Sequence, residues 1–186
     1  YKISIGNKIK INKLLKKYKP KLIYNLAAET HVDNSISNPK KTIENNILNS
    51  FYFFETIRKN LSILPKEFRL IHISTDEVYG SLSKTSKKKF HEKSNIVTNS
   101  PYSASKASCD LILSSYVKTF NFPVIITRSC NNFGKYQHFE KIIPKTIKCC
   151  VKNNKIPIYD KGQQIREWIY VKDHCKILKK IATQGI

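Results

Sequence analysis

The sequence predicts an α/β protein built on a doubly wound parallel sheet, present in incomplete form. Two observations carry that expectation. Short apolar runs at residues 21–26, 68–74 and 123–128 alternate with longer segments of helical periodicity, the pattern of parallel strands joined by helices. The runs also end alike, in small or polar residues: Ala27-Ala28, Thr75-Asp76-Glu77 and Ser129-Cys130. In an open parallel sheet, ligands bind just beyond the carboxyl ends of the strands.

The elements follow in order. Residues 8–19 place Ile9, Ile11, Leu14, Leu15 and Tyr18 on one helical face, and Pro20 ends the segment. Residues 21–26 read as a strand, and the Ala27-Ala28 pair behind it suits either tight packing or close approach of a cofactor. Residues 29–38 read as a polar loop. Pro39 suits a first helical turn, continued over 41–60 with Ile43, Ile47, Phe51, Phe54 and Ile57 on one face. Residues 68–74 form the next strand. Residues 81–99, lysine-rich around Lys87-Lys88-Lys89, read as a surface loop. Ser100-Pro101 opens a helix over 102–120, and 123–128 is a strand rich in β-branched residues. Residues 129–140 read as loop, 142–153 as a helix, 156–159 as a brief extended piece turned by Asp160-Lys161-Gly162. Residues 164–171 alternate apolar and polar as a half-buried strand, a candidate to rejoin the main sheet, and Asp173 starts a last helix. The expected division is a cofactor-binding domain over 1–130, carrying the catalytic residues, and a substrate-binding region over 131–186.

Composition removes several function classes. The net charge is +21, yet among 34 basic residues the only arginines are Arg58, Arg69, Arg128 and Arg166. Base readout favours arginine, and the lysines are spread through every helix and loop, as codon drift at solvated positions would leave them. No nucleic-acid partner is expected. No run of about 18 apolar residues occurs, so no membrane partner is expected either. Five cysteines without a CxxC pair read as reduced thiols of a cytoplasmic protein, with Cys149 and Cys150 as helix residues. His31, His72, His91, His138 and His174 form no metal spacing, and His72 reads as a core residue.

Two constellations carry chemistry. Asp76 and Glu77 are neighbouring carboxylates where a strand runs out, and close acids resist joint ionisation, so one apparent pKa rises. Tyr102 and Lys106 are four apart on a helix and share a face, where a cation favours phenolate and lowers the tyrosine pKa.

Taken together, Ser74-Thr75-Asp76-Glu77 and Tyr102-Ser103-Ala104-Ser105-Lys106 resemble the extended short-chain dehydrogenase/reductase family. Thr75-Asp76-Glu77-Val78-Tyr79-Gly80 is most similar to its nucleotide-sugar dehydratases, since epimerases of the family usually carry a small residue where Asp76 stands. The segment from Leu26-Ala27-Ala28-Glu29 to Ser35, then Asn131-Asn132-Phe133-Gly134, Glu140-Lys141-Ile142-Ile143-Pro144 and Gln164-Ile165-Arg166-Glu167-Trp168 resemble further motifs of these enzymes, in unbroken order.

The resemblance implies a Rossmann-like fold, NAD as cofactor, dTDP-glucose as nucleotide-sugar substrate, a 4-keto-6-deoxy product and a homodimer at full length. It implies that Tyr102 takes the sugar O4 proton, Thr75 binds the same oxygen, and Lys106 holds the nicotinamide ribose. Glu77 would remove the C5 proton and Asp76 protonate the departing C6 hydroxyl. Leu26, Ala27, Ala28, Glu29, Thr30, Asn45 and Asn132 fall on the cofactor side with Tyr102 and Lys106. Thr30, Thr75, Asn131, Lys141, Ile142, Pro157, Ile158, Tyr159 and Arg166 fall on the substrate side.

The chain departs from the pattern in places. None of its five glycines forms the Gly-rich turn that seats a dinucleotide pyrophosphate. Ser4-Ile5 stand where an Asp-Ile pair is usual, Asn45 where threonine is usual, and Lys135 where proline is usual. The reading is a fragment without the N-terminal Gly-rich loop and the C-terminal part, expected to be inactive alone. Alternatives are another dehydratase or epimerase of the family or, in another class, a basic nucleic-acid-binding module.

Overall fold

The computed structural model describes residues 1–158 and 160–185, with the backbone alone at Asp160. The expected substrate-side Tyr159 lies outside the described residues. Two compact units divide the chain, Tyr1–Arg128 and Ser129–Ile186.

The first unit holds a three-stranded sheet in the order β1 (Leu22–Asn25), β2 (Arg69–Thr75), β3 (Val124–Ser129). β1 and β2 run parallel, in a register from Leu22 opposite Arg69 to Asn25 opposite His72. Three helices supply the main core: α1 (Lys8–Tyr18), α4 (Asn49–Arg58) and α5 (Pro101–Phe120). Ile11 and Leu15, then Phe53, Phe54 and Ile57, then Leu113 and Tyr116 close over Leu70, with Ile23, Val124 and Ile126 partly buried against them. Phe54, Ile57, Leu70 and Leu113 are wholly buried. Each such side chain stabilises the fold by about 1.5–3 kcal/mol of transfer free energy.

Local chemistry fixes the helix ends. Asn7 caps α1 by accepting from Lys10 N–H at 3.0 Å, and Lys19 closes it in the left-handed region at φ 41°. Ser100 and Ser103 form a reciprocal capping box at the start of α5, with Pro101 in the first turn.

Two expectations for residues 29–60 need correction. A short helix, α2 (Val32–Ser37), interrupts the expected loop. The buried Ser35 hydroxyl donates to Val32 C=O at 2.6 Å and accepts Tyr102 N–H at 3.1 Å, so a contact far along the chain organises this turn. Downstream, α3 (Pro39–Ile43) passes into α4 through a π-helical turn at Glu44–Leu48. One extra residue in the turn advances the helical phase by about 100°. Ile43 and Phe51, expected on the apolar face, are exposed, while Thr42, Asn46, Ser50 and Phe53 are buried.

The second unit carries β4 (Asn131–Phe133), α6 (Ile142–Val151), β5 (Trp168–Tyr170) and α7 (Val171–Gln184). β4 arises within the stretch read as loop, and pairs parallel with β5. The strand expected over 164–171 is only three residues long, and it joins β4 in a two-stranded sheet apart from β1–β2–β3. Gly134 (φ 150°) permits this closure, because a Cβ there would lie 2.5 Å from Val171 Cγ1. Residues 156–158 form no strand. Cys149 and Cys150 lie on α6 as free thiols. No described helix is long and apolar enough to cross a membrane.

Candidate active site

β2 delivers its last residues to the site. Leu70, His72 and Ser74 alternate toward one face of the sheet, and the chain then tightens into a 3₁₀ turn at Asp76–Tyr79. Thr75 caps that turn: its hydroxyl accepts Glu77 N–H at 3.2 Å and donates to Asp76 Oδ1 at 3.2 Å. Thr75 is buried, and Asp76 and Glu77 are half-buried. Gly80 ends the turn at φ 82°, where a Cβ would stand 2.2 Å from Val97 C=O. Only glycine lets the returning loop close so tightly, and Val97 N–H then donates to Val78 C=O at 3.0 Å.

The first turns of α5 bring Tyr102 and Lys106 to the same place. Both are buried, and Tyr102 carries its phenol among Thr75, Asp76 and Glu77. Burial foremost, then the charge of Glu77, with a further contribution from Asp76, pushes the Tyr102 phenol well above its ordinary value, while hydrogen bonding with Thr75 acts the other way. This corrects the expectation that Lys106 lowers it. The Lys106 ammonium donates instead to Ile73 C=O at 2.7 Å, and burial pushes its own pKa down, opposed by Cys109 and Asp110.

The loop behind β1 holds the residues expected on the cofactor side. Leu26, Ala27 and Thr30 are exposed, and Ala28 and Glu29 half-buried. Asn46, from the π-helical turn, clamps Glu29 at both ends of its peptide unit: Glu29 N–H donates to Asn46 Oδ1 at 2.7 Å, and Asn46 Nδ2 donates to Glu29 C=O at 3.0 Å. The same Nδ2 donates to Ser105 Oγ at 2.9 Å, which ties the loop to α5 between Tyr102 and Lys106. The sequence reading missed Asn46 and Ser35. Asn46 gives only the local signal of a polar residue in a helical stretch read as an apolar face, and Ser35 is one polar residue in a stretch read as polar loop. Asn45, the residue it did single out, is half-buried and accepts from Asn49 Nδ2 at 3.4 Å.

In the second unit Asn131 and Asn132 lie on β4, opposite Trp168 and Ile169. Asn132 Nδ2 donates to Cys130 C=O at 3.4 Å, and its Oδ1 is buried without a hydrogen-bond partner among the described residues. Lys141 precedes α6 and is half-buried. Ile142 and Pro157 are exposed, and Ile158 is 74% exposed. Arg166 is exposed, with Nη1 donating to Ile165 C=O at 2.8 Å.

Known proteins resemble this chain in sequence and in fold. The chain is 42% identical over 188 residues to dTDP-glucose 4,6-dehydratase of Haemophilus influenzae, covering 99% of this chain and 55% of that one. It is 38% identical over 185 residues to the Xanthomonas campestris enzyme of the same name, covering 97% and 52%. Among solved structures, a dTDP-glucose 4,6-dehydratase from Streptomyces venezuelae, crystallised with NAD bound, superposes with a TM-score of 0.90 at 34% identity, covering 98% of this chain and 54% of that one. The chain thus spans about half the length of the relatives it matches. The family described as GDP-mannose 4,6 dehydratase matches across residues 1–186, the strand-end acids and the tyrosine–lysine helix included, and the chain belongs to that family.

Proposed function

We propose that these residues serve an NAD-dependent dehydratase that converts dTDP-glucose to its 4-keto-6-deoxy sugar. The observation that carries this reading is the turn Thr75-Asp76-Glu77 facing the Tyr102 phenol. An oxidoreductase needs the phenol and the lysine, and an elimination needs an acid and a base besides. The relatives' names support dTDP as the nucleotide.

The residues fit a nicotinamide cofactor. The small Ala27 and Ala28 follow a strand end, on a loop that Asn46 holds still. Lys106 uses one of its three protons on Ile73 C=O, which leaves donors for ribose hydroxyls. Bound NAD would supply a two-electron acceptor for the C4 alcohol, returned at C6 at the end of the cycle. Leu26, Ala27, Ala28, Glu29, Thr30, Asn45 and Asn132 would line the cofactor.

Tyr102 takes the O4 proton while Thr75 hydrogen-bonds that oxygen. A C4 ketone then acidifies C5–H. Glu77 removes this proton, and Asp76 gives one to the departing C6 hydroxyl. The division of labour suits the electrostatics. Burial and then the Glu77 charge do most to hold the phenol's proton in place, with Asp76 adding less, so a protonated Asp76 serves as the acid and removes one part of that hold on the way to the phenolate that takes the O4 proton.

The substrate nucleotide would rest on Asn131, Lys141, Ile142, Pro157, Ile158, Tyr159 and Arg166, with the Arg166 guanidinium on the diphosphate. The protein would act as a homodimer through α4 and α5, where Phe51, Leu111 and Val117 are exposed apolar side chains, and it would work in the cytoplasm, where its free thiols stay reduced.

The test is conversion of dTDP-glucose, followed by NMR of the sugar, in the full-length protein, with UDP- and GDP-sugars in parallel. Preferred turnover of dTDP-glucose is the expected result. Epimerised sugar without loss of water would show the acid–base pair to be idle and overturn the reading.

A further inference from the structure

The contact between the sheet and α5 changes character along the strands. Near the strand starts it is apolar, made by Ile23, Leu70, Val124 and Ile126. Toward the carboxyl ends, the same alternation presents Asn25, His72, Ser74 and Arg128. His72, Ser74 and Arg128 face Asp110, wholly buried and one helical turn beyond Lys106, and Asn25 reaches His72. The mechanism above uses none of these five side chains.

The groups around Asp110 converge on it from two sides, His72 from β2 and Arg128 from β3. Ala27 N–H donates to Asn25 Oδ1 at 3.3 Å, which fixes the amide's orientation, so Asn25 Nδ2 donates to His72 Nδ1 at 3.1 Å. A ring nitrogen that accepts carries no proton. Burial first, then the nearby Lys106, lowers the His72 pKa to about 3, so the ring is neutral with its proton on Nε2. That nitrogen stands 4.0 Å from Asp110 Oδ1, beyond hydrogen-bond length but with its dipole toward the carboxylate. Asp110 Oδ2 accepts from Arg128 Nε at 2.7 Å, and Arg128 Nη1 donates to the Tyr79 hydroxyl at 2.8 Å. Tyr79 closes the turn that carries Asp76 and Glu77, and its ring stacks on Phe90 at 5.3 Å. The path therefore begins in the loop behind β1, passes through the helix of Tyr102 and Lys106, and ends in the acid–base turn.

We propose that Asp110 is a positioning residue, a buried anion through which the loop behind β1, the turn of Asp76 and Glu77, and the helix of Tyr102 and Lys106 are held in one arrangement. The proposal rests on the roles given to those residues above. Asp110 faces Arg128 from β3, His72 and Ser74 from β2, and Lys106 and Cys109 from its own helix. Lys106 in turn has Ile73 C=O, His72, Cys109 and Asp110 around it. Burial works against the ammonium, and Cys109 and then the Asp110 charge work for it.

Asp110→Asn tests this, because asparagine keeps an acceptor for Arg128 and removes the charge. In the full-length protein, side-chain NMR identifies Lys106 as the lysine signal missing from Lys106→Met. The expected result is a lower Lys106 titration midpoint in Asp110→Asn, with the alkaline limb of turnover moving the same way. An unmoved midpoint in a folded Asp110→Asn protein overturns the proposal. Should that variant not fold, Tyr79→Phe decides: it keeps the ring on Phe90 and cuts the bond from Arg128. Elimination should then slow about tenfold to a hundredfold while nicotinamide reduction is retained, and equal slowing of both steps, or none, overturns the proposal. The Lys106 titration needs no turnover, so a protein that titrates as expected yet leaves dTDP-glucose unchanged sinks the dehydratase reading and not this one.

Discussion

The two units hold their functional side chains in opposite ways. In the first, Thr75, Tyr102 and Lys106 are buried: Thr75 is bonded to Asp76 and Glu77 N–H, Tyr102 N–H donates to Ser35, Lys106 donates to Ile73 C=O, and Asn46 donates to Ser105 between the last two. In the second, Pro157, Ile158 and Arg166 lie exposed on irregular chain, and α6 has no buried residue. The contrast fits the roles proposed for the two sets above. Proton transfer needs groups already in place and stripped of water, since misplacement by an ångström costs about a hundredfold. A surface that recognises a nucleotide must stay open until the ligand arrives. Placement is thus built into the first unit by tertiary contacts, while the second presents its groups on short strands and turns.

The largest effect should come from breaking the preorganised side. Glu77→Gln is expected to slow release of the 4-keto-6-deoxy product by about 10²–10⁴-fold while nicotinamide reduction survives. It should also shift the pH dependence of reduction to lower pH, because the Glu77 charge helps hold the Tyr102 phenol up. Single-turnover absorbance of the nicotinamide against pH checks both. Tyr102→Phe should abolish reduction from the outset. A variant that loses reduction and elimination equally would place Glu77 in the redox step and erase the division of labour.

Stability should show the same contrast. Phe54 is wholly buried and meets His72 edge-on at 5.5 Å. Phe54→Ala is expected to cost about 3–5 kcal/mol in denaturant unfolding. Ile158→Ala, at a residue 74% exposed, should cost less than about 0.5 kcal/mol. Comparable losses would mean that the second unit is packed more tightly than its exposure indicates.

The same contrast decides what was legible in the sequence. Strands β1, β2 and β3 announce themselves as apolar runs, and Tyr102 and Lys106 announce themselves by their spacing on a helix whose serine cap and proline are equally plain. These are local signals. The π-helical turn is not one: the periodicity of 3.6 put Ile43 and Phe51 inside, and the extra residue turned them out. Nor is the buried chain around Asp110, whose partners Asn25 and His72 are 47 residues apart and Arg128 a further 18 from Asp110. The shift of Tyr102 upward was misread for the same reason. Lys106 shares its helix face, but the ammonium is engaged by a strand carbonyl, and the charges nearest the phenol come from a different segment. The short strand β4 escaped because three residues carry too little pattern to separate from a loop, while β5 was expected but over a longer span, 164–171, than the three residues that pair.

On the exposed side, Arg166 offers the sharper test. Lysine in its place keeps the charge and loses the planar fork that grips a diphosphate at two points. Arg166→Lys is expected to raise KM for dTDP-glucose about tenfold, the loss of one charge-assisted hydrogen bond, with kcat nearly unchanged. Its unfolding free energy should stay within about 0.5 kcal/mol. Steady-state kinetics and denaturation on one preparation measure both quantities. A fall in kcat at constant KM would move Arg166 from recognition to the chemistry.

The smallest expected effect separates two ion pairs of the same spacing. Glu55 accepts from Arg58 Nε and Nη2 at 2.7 and 2.9 Å and from the Tyr116 hydroxyl at 2.6 Å, with its side chain 19% exposed. The Arg58 guanidinium foremost, with Tyr116 adding to it and desolvation opposing, holds the Glu55 carboxyl down at about 2. Its native pKa is below the unfolded value, so the stabilisation is complete above the unfolded pKa and is lost as pH falls through the window from there to about 2. Discounted for solvent screening, it amounts to about 1 kcal/mol. Glu55→Gln should therefore flatten the acid limb of a stability–pH curve by that amount. Asp173 and Lys176 form the counterpart in α7, also three residues apart at 3.1 Å, but with side chains 56% and 78% exposed. A pair so open to water stabilises by a few tenths of a kcal/mol at most, and Asp173→Asn should lower the unfolding free energy by no more than that. The difference lies in Tyr116, which reaches from α5 to α4 and makes the Glu55 pair part of the core's edge. Tyr116→Phe should accordingly remove part of the acid dependence that Glu55→Gln removes, and equal acid limbs in wild type and Tyr116→Phe would show that the guanidinium alone holds the carboxyl down.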